Sequence, residues 1–159
     1  MGIQFETDYN METLTAMAKG LRKTVRKKRS RRVHIFAAVV LILGLLTILA
    51  TVAGGEPLGA SGVVTLLALL VVILVSLFED RLNAWFAKKR LLPGTEHAAA
   101  TFEEDGYVSA TGVTESRFSY AQIVAVAETA RYFVFALSSH HTQAYDKRTI
   151  RGGSVEDFR

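Results

Sequence analysis

Between Val33 and Phe78 the chain carries one charged side chain, Glu56. That residue separates two uncharged runs of 21 residues, "VHIFAAVVLILGLLTILATVA" (33–53) and "LGASGVVTLLALLVVILVSLF" (58–78). At 1.5 Å rise per residue each makes about 31 Å of helix, the thickness of a hydrocarbon core of roughly 30 Å. In the second run only 63–78 is clearly apolar, so the span is read there, with a start at 58 if its first turn sits in the interface. A chain of 159 residues has too little other mass to bury two wholly apolar helices in a soluble core. Nor is the first run a cleavable leader. Thirty-two residues precede it, and it exceeds the apolar core of a signal peptide, about 7–15 residues. The intervening "GGEPLGASG" has turn residues at Gly54, Gly55, Pro57 and Gly59, and so short a link forces an antiparallel helical hairpin.

Charge then sets orientation. Nine basic residues crowd before the first run: Lys19, Arg22, Lys23, Arg26, Lys27, Lys28, Arg29, Arg31 and Arg32. Four follow the second, Arg81, Lys88, Lys89 and Arg90, and none lies between. The excess of Lys/Arg at both outer ends predicts that both termini are cytoplasmic. Near an anionic leaflet such residues contribute on the order of 1 kcal/mol each, so the block reads as a topology determinant and lipid-headgroup contact. A nucleic-acid role is set aside, because the block lacks the interleaved aromatics of a single-strand binder. Trp85 beside Phe86 and Lys88–Arg90 forms an aromatic and basic anchor at the membrane boundary. With no Asp, Glu, Lys or Arg inside either run, no intramembrane proton relay or ion site of the usual sort is expected. Gly44, Thr47, Thr51, Thr65 and Ala68 allow close helix contact. The absence of cysteine rules out disulfides and thiolate metal sites.

Residues 10–32 read as one helix leading to the first span, with Asn10 as N-cap and Glu12 in the first turn. Met11, Leu14, Met17, Ala18, Leu21 and Val25 share one face. That face either packs on the protein's own globular part or lies in the headgroup plane. From residue 98 the pattern changes to short strands. Asp105-Gly106 marks a hairpin, "ESRFSYAQIVAVAET" holds a strand and a turn near Tyr120–Gln122, and "RYFVFAL" is apolar at both parities, as in a strand covered on both faces. "QAYDKRTI" adds a strand with a basic exit, and Ser154 with Asp157 caps a final helix. The chain stops one turn into it, which leaves room for the natural protein to continue beyond Arg159. "IQFET" alternates with Ile3 and Phe5 on one side and joins the same sheet. The expected organisation is thus 1–32 (strand and basic amphipathic helix), 33–53 (span), 54–62 (external loop), 63–78 (span), 79–97 (interfacial helix and linker) and 98–159 (β domain).

The order of "FEEDGYV", "FSYAQIVAVAET", "YFVFAL" and "YDKRTI", after an opening "FETDYNMETLTAMAKGLRKT" and two spans, resembles the YcxB-like family of bacterial membrane proteins. The likeness covers essentially the whole chain. It departs at Asp146, where many relatives are expected to carry proline. The resemblance implies an α+β membrane protein of the bacterial cell (inner) membrane, with a transmembrane hairpin, a small cytoplasmic antiparallel β domain of pleckstrin-homology type and a C-terminal helix. The family is largely uncharacterised and carries no catalytic signature, so no catalytic residue is transferred.

The residues agree with that. No P-loop, G-x-S-x-G or G-x-G-x-x-G occurs, and adjacent His140 and His141 have no further ligand at metal spacing. No enzyme activity, cofactor or metal is expected. Lys147, Arg148 and Arg151 are the candidate partner-binding residues, set against a plain solvated strand exit. The expected function is a non-catalytic, membrane-anchored binding or regulatory module. The alternative is a structural homo-oligomer or an accessory subunit of a membrane complex such as a transporter. Expected partners are anionic lipid headgroups and a membrane or cytoplasmic protein, with no nucleic acid. Because 1–8 is read as a strand of the β domain, its deletion should lower the protease resistance of 98–159, and unchanged resistance would refute the pairing.

Overall fold

A computed structural model of the protein describes residues 2–159. In chain order these form β1 (Ile3–Asp8), α1 (Met11–Lys23), α2 (Lys27–Ala53), α3 (Ala60–Leu77), α4 (Glu79–Lys89), β2 (His97–Phe102), β3 (Gly106–Thr111), β4 (Glu115–Ser119), β5 (Ala125–Glu128), β6 (Tyr132–Ala136), β7 (Thr142–Asp146) and α5 (Val155–Phe158). They make two compact units, the chain up to Lys27 with Asp80–Arg159, and Lys28–Glu79. The class is α+β, with antiparallel sheets, two long apolar helices and a C-terminal helix.

In the first unit β1-β2-β3-β4 form one antiparallel sheet and β5-β6-β7 another. β1 pairs with β2 along its whole length, from Ile3 opposite Phe102 to Asp8 opposite His97. This places Phe5 among aromatic rings from both sheets: Phe102 at 5.6 Å, Tyr145 at 5.7 Å and Phe133 at 6.3 Å. α5 closes that core from one end, with Phe158 centred 4.7 Å from both Phe5 and Phe102. Its single turn is held by reciprocal Ser154–Asp157 bonds, Asp157 N–H to Ser154 Oγ at 3.1 Å and Ser154 N–H to Asp157 Oδ2 at 2.9 Å. Reciprocal capping satisfies donors that so short a helix cannot pair internally.

Every residue of β6 is buried. Phe133 and Phe135 face the aromatic core, while Tyr132 and Val134 face Ala16 and Met17 of α1. α1 approaches this closely because of Gly20, where a Cβ would stand 2.7 Å from Val134 Cγ1. The amphipathic face of α1 thus packs on the protein's own sheet. It is rotated from the sequence expectation. Thr13, Leu14, Gly20 and Leu21 are buried, whereas Met11, Ala18 and Val25 are only partly so.

Residues 10–32 are not one helix. α1 ends at Lys23, and the chain turns through residues 24–26 before α2 begins. The Arg26 N–H reaches back to the Leu21 carbonyl at 2.8 Å, and the Arg26 Nε donates to the Ser139 carbonyl at 2.7 Å. Continuing the α-helix would swing Arg26 off that carbonyl, so the tertiary bond outweighs the local pattern. The segment after Tyr120 also differs, since it carries β5 as a strand separate from β4.

The second unit holds α3 and nearly all of α2, each long and apolar enough to cross a membrane. Gly44 lets Leu69 close in, its absent Cβ lying 2.5 Å from Leu69 Cδ2. The hydroxyls of Thr47, Thr51 and Thr65 donate to their own helix, to the carbonyls of Gly44, Thr47 and Ser61. Such back-bonding satisfies these three hydroxyl protons within their own helices.

Phe5→Ala should destabilise the first unit by about 3–5 kcal/mol through the cavity it leaves. Urea-dependent pulse proteolysis of the full chain measures this. A change under about 0.5 kcal/mol, the range of ordinary surface substitutions, would contradict the packing described.

Candidate functional site

Positive charge falls into two classes. All six Lys and Arg residues between positions 98 and 159 face a carboxylate. Arg117 meets Glu103 at 3.7 Å, Arg148 meets Asp146 at 3.0 Å, and Arg151 meets Glu6 at 3.3 Å. Arg131 pairs with Glu12 of α1 and with Asp146 at 2.9 Å. Lys147 and Arg159 share Glu128, at 2.5 and 2.6 Å. In contrast Lys19, Lys23, Lys27, Lys28, Arg29, Arg31, Arg32, Arg81, Lys88 and Arg90 form no ion pair among the described residues. All ten lie on α1, on the first turns of α2, or on α4 and the residue after it.

The three residues expected to recognise a partner are therefore drawn into internal contacts. Lys147 has a side chain only 10% exposed, donates to the Thr129 carbonyl at 2.6 Å and sits 4.7 Å over the Phe133 ring. Asp146 sets the local geometry of Lys147 and Arg148. Its carboxylate accepts from Arg131 and Arg148, and its Oδ1 also accepts the Arg148 N–H at 3.0 Å, which starts the 3₁₀ turn Lys147–Thr149. Its own N–H donates to Thr7 Oγ1 at 3.1 Å, a bond that proline at this position cannot make.

The basic block is divided by the helix break. Lys19, Arg22 and Lys23 lie on α1, Arg26 in the turn, and the remainder on the first turns of α2. Arg22 makes a bidentate pair with Asp80 at the start of α4, at 2.8 and 2.7 Å, so the two chain crossings between units are tied together on this side. On α4, Trp85 meets Phe86 edge-on at 5.0 Å, and Lys89 Nζ lies 3.6 Å over the Trp85 ring.

Beside these crossings a groove of about 630 Å³ opens in the first unit. Leu14 and Met17 of α1, Leu91 and Leu92 after α4, and Phe118 of β4 supply its apolar wall. Buried Ser109 and Gln143 lie along the floor, and Arg90, His140 and His141 contribute the nitrogen donors. The Gln143 Oε1 accepts from both Tyr107 and Tyr145 hydroxyls, at 2.7 and 2.6 Å. Burial pushes the Tyr145 hydroxyl far up and the lining Tyr9 hydroxyl up to about 12, so both stay protonated donors. No carboxylate lines the groove among the described residues. A second cavity of similar volume, by Phe102, Phe135 and Phe158, has the opposite character. Glu103, Glu104 and Asp157 line it, with no cation among the described residues. No group of three or more His, Cys, Asp or Glu among the described residues is placed to hold a metal ion.

Sequence reading missed Tyr9, Ser109 and Gln143 as neighbours, since they come from separate elements. The one local signal was Gln143, a polar residue that alternation would place inside a buried strand.

The fold and its charges define an α+β unit joined at two points to a pair of apolar helices. Residues 102–159 match the model of the YcxB-like protein family. The match begins at the last residue of β2, so β1 and all helices but α5 lie outside it. No curated protein and no solved structure is significantly similar to the chain.

The Arg159 and Lys147 side chains bonded to Glu128 hold its carboxyl at about 2, below the ordinary 4.5. Folding favours the ionised form, so this stabilisation is complete above the ordinary value and is lost as pH falls through about 2. Protection factors for amide exchange at Val155–Phe158, corrected for the intrinsic pH dependence of exchange, should be highest at neutral pH and fall progressively on acidification. Asp157, held low by its Ser154 bonds, titrates in the same sense. Glu128→Gln separates the two, and should raise exchange already at neutral pH. Unchanged exchange in that variant would show that the clasp does not hold α5.

Proposed function

We propose that the chain is a non-catalytic, membrane-anchored binding or regulatory module of the bacterial inner membrane. Its two apolar helices cross the bilayer as a hairpin, both termini are cytoplasmic, and the β unit is a pleckstrin-homology-like domain held at that face. The observation that carries this reading is the β1–β2 pairing. β1 precedes both apolar helices and β2 follows them, yet the two share six residue pairs of one sheet. A sheet cannot be divided by a bilayer, so the flanks of the helical pair belong on one side of any membrane it crosses. Ten unneutralised cations on those same flanks favour the cytoplasmic side. Seven strands in two antiparallel sheets with a closing helix support the pleckstrin-homology likeness.

A structural homo-oligomer or an accessory subunit of a membrane complex is the second reading. It is favoured by α2, which has no buried residue and leaves most of its apolar surface for lipid or for another helix. Gly44 is already occupied by Leu69 of the same chain, which weakens its case as an oligomer contact.

The absence of cysteine makes the topology directly testable. Glu56→Cys should react with a membrane-impermeant maleimide on intact spheroplasts, and Glu115→Cys only after lysis. Labelling of Glu115→Cys from outside would reverse the orientation. Crosslinking in native membranes then separates the functional readings. A heterologous partner captured through 98–159 fits the module, and self-crosslinks confined to the apolar helices fit the homo-oligomer.

A further inference from the structure

We propose that the groove between α1, the end of α4, β4 and the β6–β7 turn binds the anionic headgroup of a membrane phospholipid. This rests on the membrane-anchored reading above and assigns it a specific site. Three features single out the groove. It contains Arg90, a guanidinium with no internal carboxylate, beside His140 and His141, and no acidic side chain opposes them among the described residues. Two other cavities carry Glu103 and Glu104 in their walls and would repel an anion.

The second feature is amphiphilicity. The nitrogen donors lie on the same groove as hydroxyl groups from Tyr9, Thr95 and Ser116 and the apolar side chains of Leu14, Met17 and Leu92. A phosphate takes charge-assisted bonds from guanidinium and imidazole N–H groups. Hydroxyls suit glycerol oxygens, and the apolar wall suits the start of an acyl chain. The volume, about 630 Å³, lies in the range of small-molecule sites, about 300–1,000 Å³.

The third feature is access. The carbonyl of Ser139, next to His140, is bonded to Arg26, and α2 begins at the following residue, Lys27. Arg90 is the residue after α4, which itself starts two residues beyond the end of α3. Both donor-bearing rims are therefore tethered within a short stretch of chain to an apolar helix. His140 Nδ1 is occupied by Ser139 Oγ at 2.7 Å, which leaves Nε2 for the ligand.

The test uses the full chain in nanodiscs of equal parts phosphatidylglycerol and phosphatidylcholine, with native mass spectrometry of lipid retained after release. The wild-type protein should keep one phosphatidylglycerol in preference to phosphatidylcholine. The R90Q/H140Q/H141Q variant should retain it at least roughly tenfold less, as expected for lost bonds to a charged group. L91E, which places a carboxylate among the lining side chains, should do the same. Unaltered protease resistance of the first unit checks that both variants fold. K27Q/K28Q/R29Q, outside the groove, should keep the bound lipid. Retention by both groove variants with loss from the basic-block variant would overturn the groove assignment and leave the membrane-anchored reading intact. No preference for phosphatidylglycerol in any protein would overturn it as well. Binding of inorganic phosphate at least as tightly, with no lipid retained, would replace the lipid by a soluble phosphate.

Discussion

The pairing of β1 with β2 is the constraint on which the remainder depends. It joins residues separated by two apolar helices, Phe5 opposite Ala100, and it must form across a loop that includes both of them. Closing so long a loop is entropically costly, but the cost grows only slowly with length, and a preformed helical hairpin shortens the effective loop. In return Phe5 enters the centre of the aromatic core, where four ring partners from β2, β6, β7 and α5 surround it. Once β1 is in the sheet, the position of α1 follows. Thr13 donates to the Asp8 carbonyl at the end of β1 and meets the Tyr132 hydroxyl on β6, so the helix is pinned between the two sheets' strands. One strand of six residues thus makes the chain's two ends into a single folded body.

That body uses its charges internally. Glu6, Glu12, Glu103, Glu128 and Asp146 between them take up every cation of the β domain, and several pairs join distant segments. Glu128 clasps the C-terminal helix to the start of the 3₁₀ turn, and Glu6 holds Arg151 beside the Gln4–Arg151 bridge. An exposed pair of this kind contributes little by itself, about 0–1 kcal/mol. These cations each have a carboxylate partner inside the unit, whereas the cations without one lie on the segments that flank the apolar helices.

Much of this architecture is legible in the sequence, for physical reasons that differ by element. The two apolar helices follow from length and lack of charge. The β2–β3 hairpin follows from Asp105-Gly106, and the two-faced burial of β6 from apolar residues at both parities. The break at residues 24–26 is not legible, because the amphipathic period runs through it unbroken and the cause is a carbonyl at Ser139. The same limit applies to Lys147, Arg148 and Arg151. They form a basic exit when read along the chain, but Glu128 and Glu6 neutralise Lys147 and Arg151 from positions 19 and 145 residues away. The groups flanking the apolar helices were individually legible as basic or aromatic. Their division into Arg22 and Arg26, which hold the fold together, and Lys27–Arg32, which do not, was not.

The two classes of cation also differ in how salt acts on them. Exposed charges interact through solvent, where the screening length is about 8 Å at physiological ionic strength. The pull of Lys27, Lys28 and Arg29 on an anionic surface therefore weakens as salt rises. Lys147, enclosed between Glu128, the Thr129 carbonyl and the Phe133 ring, is shielded from that competition. The enclosed Lys147 and the unpaired basic block therefore respond differently to salt. Arg90 stands between the classes. It is exposed and lacks an internal carboxylate, like the basic block, but it borders a groove with apolar walls and buried polar groups, which concentrate an electrostatic contact more than open solvent does. A ligand held there is governed by shape and hydrogen bonding as well as by charge, and that is the physical distinction between a binding site and a basic surface.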